Sequence, residues 1–477
     1  MNFRSMIGAA SLAACSFASL AGAPTGVAEP GAVFSQRSLT RPVLYRALEL
    51  GAEATIALET DAGGVVELEM TRFTPFTDDA RIVAVRADGS ERAIDLSDDV
   101  HLKGHVKGDP ERVAYIHIND HATNGFVRGG DDAGTLVLST GPERRSLSVA
   151  RGSKLGLKAM GELCAVEVDD PGHNPFGLPI GDIDSTPGLV SPAGVAPMRE
   201  AEIAVETDYE FTGVLFSGFS ELSAGYASML IAASSTIYER DVNMTLTIPF
   251  LRTYEANNDP YGGSDIGDFL DDVRQEFSSG SGSDVDRTLV HGLSPRNLGG
   301  GVAYLSVVCS QNWGVGVSAN LNGFFPMPVE DNSHSNWDLM VVSHELGHNF
   351  GTGHTHDSYS PVIDGCGNGD CSDALDSTIM SYCHLCPGGI SNMDMRLHPR
   401  VQERILDYLA NDAPCDLTVS EPCEPDFNGD GLATFPDVSL FLGFFSASDP
   451  QADFNGDGAV SFPDIGAFLA AFNAGCP

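Results

Sequence analysis

The chain has 477 residues, a length that suggests roughly two to four domains. About 42% of them are hydrophobic, enough for ordinary packed cores. Asp and Glu number 66 against 26 Lys and Arg, a formal charge of −40. That balance argues against binding nucleic acid or an anionic membrane, both of which select Lys and Arg. It suits a protein of extracellular or salty surroundings, with part of the excess available to calcium.

The N-terminus "MNFRSMIGAASLAACSFASLAGAPTGVAEP" reads as a secretory signal peptide (1–28). Arg4 supplies the positive end, Met6 to Ala21 the apolar run, and small residues between Ala21 and Ala28 the cleavage site. A second reading places a lipobox at Leu12-Ala13-Ala14-Cys15, with the chain anchored through Cys15. Both imply export, to the medium or the cell surface. No later stretch is long and apolar enough to span a bilayer.

Residues 29–170 are expected to be β-rich, with alternating runs such as "RVAYIHI" and "GTLVLST" between Gly and Asp turns. Residues 171–197 are rich in Pro and Gly and predict a linker or a wrapping segment. From 198 to 415 strands and helices alternate, which indicates an α/β layered domain. Strands are predicted at 202–208, 243–248, 287–291 and 301–309, and helices at 219–241 and 265–277. Residues 416–422 form a second linker, and 423–477 contain an internal repeat.

"NWDLMVVSHELGHNF" (336–350) predicts a helix capped by Ser335 or Asn336. Leu339, Val342, Leu346 and Phe350 make one apolar face. His344 and His348, four apart, stack on a roughly opposite face with Glu345 beside them. Gly351 permits a bend, and His354 follows six residues after His348. A catalytic zinc site takes three protein ligands and leaves one position open. His344, His348 and His354 fit that need, and His356 is left as a neighbour beside Asp357.

The pattern His-Glu-x-x-His-x-x-Gly-x-x-His resembles the metzincin zinc peptidases. "STIMSY" (377–382) is similar to their Met-turn, with Met380 in that place. "HNFG", "GVAYLSVVCS" and the dense cysteines resemble the adamalysin/reprolysin type. Two features depart from it. Thr355 follows the third histidine where many such enzymes have Asp, and Tyr382 resembles the Met-x-Tyr of astacin- and serralysin-like enzymes. The resemblance implies a twisted mixed sheet with an active-site helix, one catalytic zinc, and hydrolysis of protein or peptide substrates. It also implies Glu345 as general base, an edge strand at "GVAYLSVVC" for the substrate, and a transition-state contact from Tyr382.

Ten cysteines are present, and export favours pairing. Cys309, Cys366, Cys371, Cys383, Cys386 and Cys415 could form three bridges, and Cys423 with Cys476 a fourth. Cys164 is left over. Many metzincins are kept latent by a propeptide cysteine on the metal, and Cys164 is a candidate for such a switch; a buried thiol is the plain alternative.

In the C-terminal repeat, Asp426, Asn428, Asp430, Leu432, Thr434 and Asp437 occupy positions 1, 3, 5, 7, 9 and 12 of an EF-hand-type loop. Asp453, Asn455, Asp457, Ala459, Ser461 and Asp464 repeat them 27 residues later. Two such loops, each followed by one apolar helix, resemble a dockerin module. That implies two calcium ions, a small α-helical tail, and a cohesin-like or cell-surface partner. The sequence thus predicts a secreted, latent zinc metalloendopeptidase with β-rich propeptide, metzincin domain and calcium-binding tail. The alternative is a calcium-dependent cell-surface binding protein whose zincin domain is inert.

Overall fold

The computed structural model describes residues 32–59, 64–128, 136–140, 148–151, 164, 172–182, 198–323, 337–374, 377–419, 425, 427, 435–447, 449–455 and 459–474. The leader with Cys15, the cap candidates Ser335 and Asn336, and Cys423 and Cys476 lie outside the described residues. So do Asp426, Asn428, Asp430, Leu432, Thr434 and Asp457 of the calcium loops.

The N-terminal part begins with β1 (Ala32–Ser35), α1 (Pro42–Arg46), β2 (Glu53–Glu59), β3 (Val65–Phe73), β4 (Phe76–Val85) and β5 (Glu91–Ala93). It continues with β6 (Val100–Val106), β7 (Asp109–Ile118), β8 (Thr123–Val127), β9 (Leu136–Ser139) and β10 (Ser148–Arg151). All but β4 and β5 form one eight-stranded sheet, ordered β1-β2-β3-β6-β7-β8-β9-β10. Its alternating residues give it a core of its own around Ile56, Leu68, Leu102 and Ile116.

The central part contains β11 (Arg199–Thr207), α2 (Ser220–Val242), β12 (Met244–Tyr254), α3 (Ile266–Ser279), β13 (Leu289–Leu293), β14 (Gly301–Ala303), β15 (Val315–Ser318) and α4 (Trp337–Asn349). A seven-stranded sheet runs β14-β15-β13-β11-β12-β4-β5. Strands β15, β13, β11, β12 and β4 are parallel neighbours, and β14 and β5 pair antiparallel at the two edges. The hairpin β4–β5 therefore leaves the N-terminal sheet and completes the central one. Parallel strands bury both faces, and β13 and β15 are buried at every residue.

Helix α2 contacts β12 on one side and β6 and β7 on the other, so it lies between the sheets. It is buried without a break from Ser223 to Tyr238. A helix sandwiched this way needs no polar face, and its run of Ala, Ser and Gly suits close approach. Ser234 Oγ meets Ser343 Oγ of α4 at 2.9 Å, and Tyr238 OH donates to the Ser343 carbonyl at 2.9 Å. Asn243 ends α2 in the left-handed conformation that an asparagine C-cap tolerates.

Two expectations are corrected. The strand predicted at 301–309 stops at Ala303, because Ser306 and Cys309 adopt positive φ of 58°. That turn brings Ser306 N and Val307 N to the carbonyls of His348 and Asn349, 3.0 Å away in both cases. Two of the orphan acceptors at the end of α4 are thereby satisfied. Second, the two faces of α4 read from the sequence do not differ in burial. Leu339 through Phe350 are buried all round, apolar and polar alike.

Beyond α4 lie α5 (Pro399–Asn411), α6 (Phe435–Ala447) and α7 (Phe462–Ala474). The last two pack through Phe441 and Phe468, stacked 4.1 Å apart. Disulfides join Cys309–Cys415, Cys366–Cys383 and Cys371–Cys386. Among the described residues no helix is long and apolar enough to cross a membrane.

Candidate metal centre

Helix α4 supplies His344 and His348 one turn apart, and the loop after Gly351 returns His354 to them. Gly351 has φ +93°, and a side chain there would strike the Tyr408 ring. Each helical histidine is fixed through its Nδ1–H. That of His344 donates to the Ile379 carbonyl at 2.7 Å, and that of His348 to the Thr352 carbonyl at 2.9 Å. Both tautomers leave the Nε2 lone pair facing the site. His354 Nδ1 lies 3.4 Å from Asp357 Oδ2, so a carboxylate three residues on backs the third histidine.

Burial pushes the pKa values of His344 and His348 well below the usual histidine range, and the other imidazoles add to this. They are neutral and ready to ligate. His344 Nε2 is buried without a hydrogen-bond partner, and the Nε2 atoms of His348 and His354 face each other at 3.1 Å. Lone pairs converging in a buried space call for a cation, and three imidazoles suit zinc. The ligand atoms of Cys164, His344, His348 and His354 all fall within 4.8 Å of one another.

Cys164 is buried, forms no disulfide and lies at the centre of the site. Its thiol is 3.4 Å from Glu345 Oε2, to which it donates, and 3.4 Å from His348 Nε2. Its backbone forms a parallel bridge to Gly301 of β14, and its carbonyl accepts from Tyr382 OH at 2.8 Å. Burial pushes the Glu345 carboxyl well above the usual carboxylate range, with the thiol hydrogen bond pulling the other way.

Met380 sits under α4. A Cβ on Gly347 would fall 2.5 Å from its Sδ, so only glycine lets that sulfur lie so close to the turn between the two helical histidines. The Met380 carbonyl accepts from Thr355 N at 3.1 Å, which ties this turn to the His354 loop. Tyr382 packs on His354 and His356 with centroids 4.7 Å away in each case. His356 stacks on His354 and shares Asp357 with it, at 3.5 Å from its own Nε2. The fourth histidine thus backs a ligand rather than joining the cluster.

The Pro/Gly-rich stretch wraps the site over its described part, 172–182. Leu305 N donates to the His173 carbonyl and Gly353 N to the Ile180 carbonyl, both at 2.7 Å. Asp182 accepts from Ser360 N and pairs with Arg400 at 2.6 Å. Sequence reasoning missed Gly301, Asn349 and the carbonyls of Ile379 and Thr352. Asn349 Nδ2 donates to the Tyr304 and Val315 carbonyls and ties α4 to the edge of the sheet. A polar residue directly after His348, inside an apolar register, was the available signal.

The tail is described in part. Asp464 is buried, and its carboxylate accepts from Asn455 N at 3.1 Å and Ser461 N at 2.7 Å, closing the second loop. Asp453, Ala459 and Asp437 are also described; Asp437 is buried at the start of α6.

Residues 198–393 match the reprolysin-type model of metallo-peptidase family M12. No curated protein matches the chain. Among solved structures, metalloproteinase-II from Bacteroides fragilis is similar with a TM-score of 0.43 and 13% identity, over 80% of this chain and 98% of that one. Residues 198–393 are thus a reprolysin-like metallopeptidase domain of family M12.

Proposed function

We propose that the protein is an exported zinc metalloendopeptidase held latent by Cys164. The observation that carries this reading is the position of the thiol, within 3.4 Å of both His348 Nε2 and Glu345 Oε2. His344, His348 and His354 would hold the zinc, which when bound polarises a peptide carbonyl and acidifies water. In the latent chain the Cys164 thiol would fill the remaining position, and it holds the base through its hydrogen bond to Glu345 Oε2. The Cys164–Gly301 bridge occupies the edge strand that an extended substrate would use.

Once Cys164 withdraws, Glu345 Oε2 is released to accept a proton from the attacking water. The water oxygen bonds to the carbonyl carbon, the C–N bond breaks, and Glu345 passes the proton to the leaving nitrogen. Tyr382 OH, relieved of the Cys164 carbonyl, is placed to donate to the oxygen on which charge develops. Backbone pairing along β14 grips a peptide without reading its side chains. The tail is read as a calcium module of two loops closed by Asp437 and Asp464, available to a cohesin-like or cell-surface partner.

The test compares the unprocessed chain, Cys164→Ala and Cys164→Ala/Glu345→Ala on casein and a quenched peptide. The single variant is expected to cleave with one zinc bound and to lose activity with a chelator; the double variant should bind zinc and not cleave. A Cys164→Ala chain with zinc bound that stays inactive even after its N-terminal part is digested away would sink the peptidase reading, and an equally active unprocessed chain would sink latency.

A further inference from the structure

The junction between the N-terminal part and the catalytic layer does not resemble a tether between independent bodies. Strand β4 is hydrogen-bonded to β12 in parallel, from Phe250↔Arg81 to Tyr254↔Val85, and β5 closes the sheet beyond it. Val83, Ala84, Val85, Ile94 and Leu96 belong to the same buried core as α2 and β12, not to the core of the N-terminal sheet. Across α2, Val113, Tyr115 and Phe126 of the N-terminal sheet join that core as well. The approach is close: a Cβ on Gly225 of α2 would lie 2.6 Å from Asp99 Oδ2.

Charge is arranged to match. Arg92 reaches Glu221 and Glu255 at 2.8 Å, Lys103 reaches Glu239 at 2.7 Å, and Arg128 reaches Asp394 at 3.1 Å. In these pairs the cation is N-terminal and the anion belongs to the catalytic side, whereas Asp182 and Arg400, 2.6 Å apart, pair with the opposite polarity. These groups are partly exposed, so each pair adds little energy. Their complementarity sets register and favours re-association. The affinity comes from the shared core and the strand ladder, because losing them would strip β12 of its neighbour and expose the face of α2.

We infer that the surface formed by β12 and the outer face of α2 is a docking site for the chain's own N-terminal part. That part stays bound as a separate chain after the connection at 183–197 is cut. Cutting alone then leaves Cys164 on the metal site, since its bridge to Gly301 and its bond from Tyr382 join the two sides of the cut without needing the connection. Activation needs a second event, destruction or displacement of the bound N-terminal fragment. This inference rests on the latency reading for its consequence, but the association itself does not.

A site-specific protease sequence placed within 183–197 of the full chain provides the test, in the natural background and with Cys164→Ala. After complete cleavage, both fragments should elute in one gel-filtration peak at the position of the uncut chain. With Cys164 present the cut chain should keep the low activity of the uncut one, and Cys164 should resist alkylation. Separate elution of the N-terminal fragment at micromolar protein overturns the inference. So does a rise, on cutting alone, to the activity of the Cys164→Ala chain. Failure of the peptidase reading would show differently: one peak, and no activity in cut Cys164→Ala with zinc bound.

Discussion

Gly301 offers the sharpest test of how the site is built. It lies on β14, and its φ is not among the positive ones, so alanine meets no backbone penalty there. The added Cβ would instead fall 2.4 Å from Glu345 Oε1, 2.6 Å from Cγ and 2.7 Å from Cδ. Carbon contacts settle at about 3.5–4.0 Å, so the carboxylate arm must shift by about 1 Å. Glu345 is fully buried. Overpacking of this kind costs about 1–3 kcal/mol, offset in part by about 0.5–1 kcal/mol for removing a strand glycine. The net cost to stability is therefore up to about 2.5 kcal/mol. Catalysis should suffer more, since a 1 Å misplacement costs on the order of 100-fold, about 2.7 kcal/mol. Gly301→Ala in the Cys164→Ala background should show that loss in kcat/KM on a quenched peptide. One bound zinc and a cooperative melting transition, lowered by no more than about 10 °C, should accompany it. A kcat/KM within about three-fold of the parent, under ~0.7 kcal/mol, would refute the placement of Glu345 as the base beneath the edge strand.

Arg252, 1% exposed, donates to both oxygens of fully buried Glu206 and to Glu276. Arg252→Met should cost about 3–5 kcal/mol by leaving buried Glu206 without its cation, and calorimetry should show Tm falling by roughly 6–20 °C. Arg252→Met/Glu206→Met should recover most of it; equal losses in both variants would argue against an uncompensated charge. His291 is fully buried against Ser318, and burial pushes its pKa down to about 3. Below about 6.5 the unfolded chain holds a proton that the native one refuses, so stability falls as pH drops toward 3, by up to about 1.4 kcal/mol per unit. Urea melts at pH 7 and pH 5 should show a shallower loss for His291→Gln than for the parent; parallel losses would remove His291 as the cause.

The local periodicities were legible because they depend on neighbours a few residues apart. The four-residue step places His344 and His348 on one face of α4, and Gly351 marks the bend that returns His354. Hydrophobic alternation found β7 and β11, and the apolar run found α2. What no local pattern carries is the choice among distant partners. Which of six cysteines pair, why the strand at Gly301 ends at Ala303, and why α2 is buried on both sides were decided by packing between sheets. The same holds for β4–β5, an ordinary hairpin in sequence that leaves its neighbours to complete the central sheet beside β12. The sequence determined by itself that three histidines, a glutamate and one leftover cysteine were present at suggestive spacings. Only the tertiary structure brought Cys164, 180 residues upstream of His344, to within reach of the same point, because the β14 edge offered its backbone a strand to pair with.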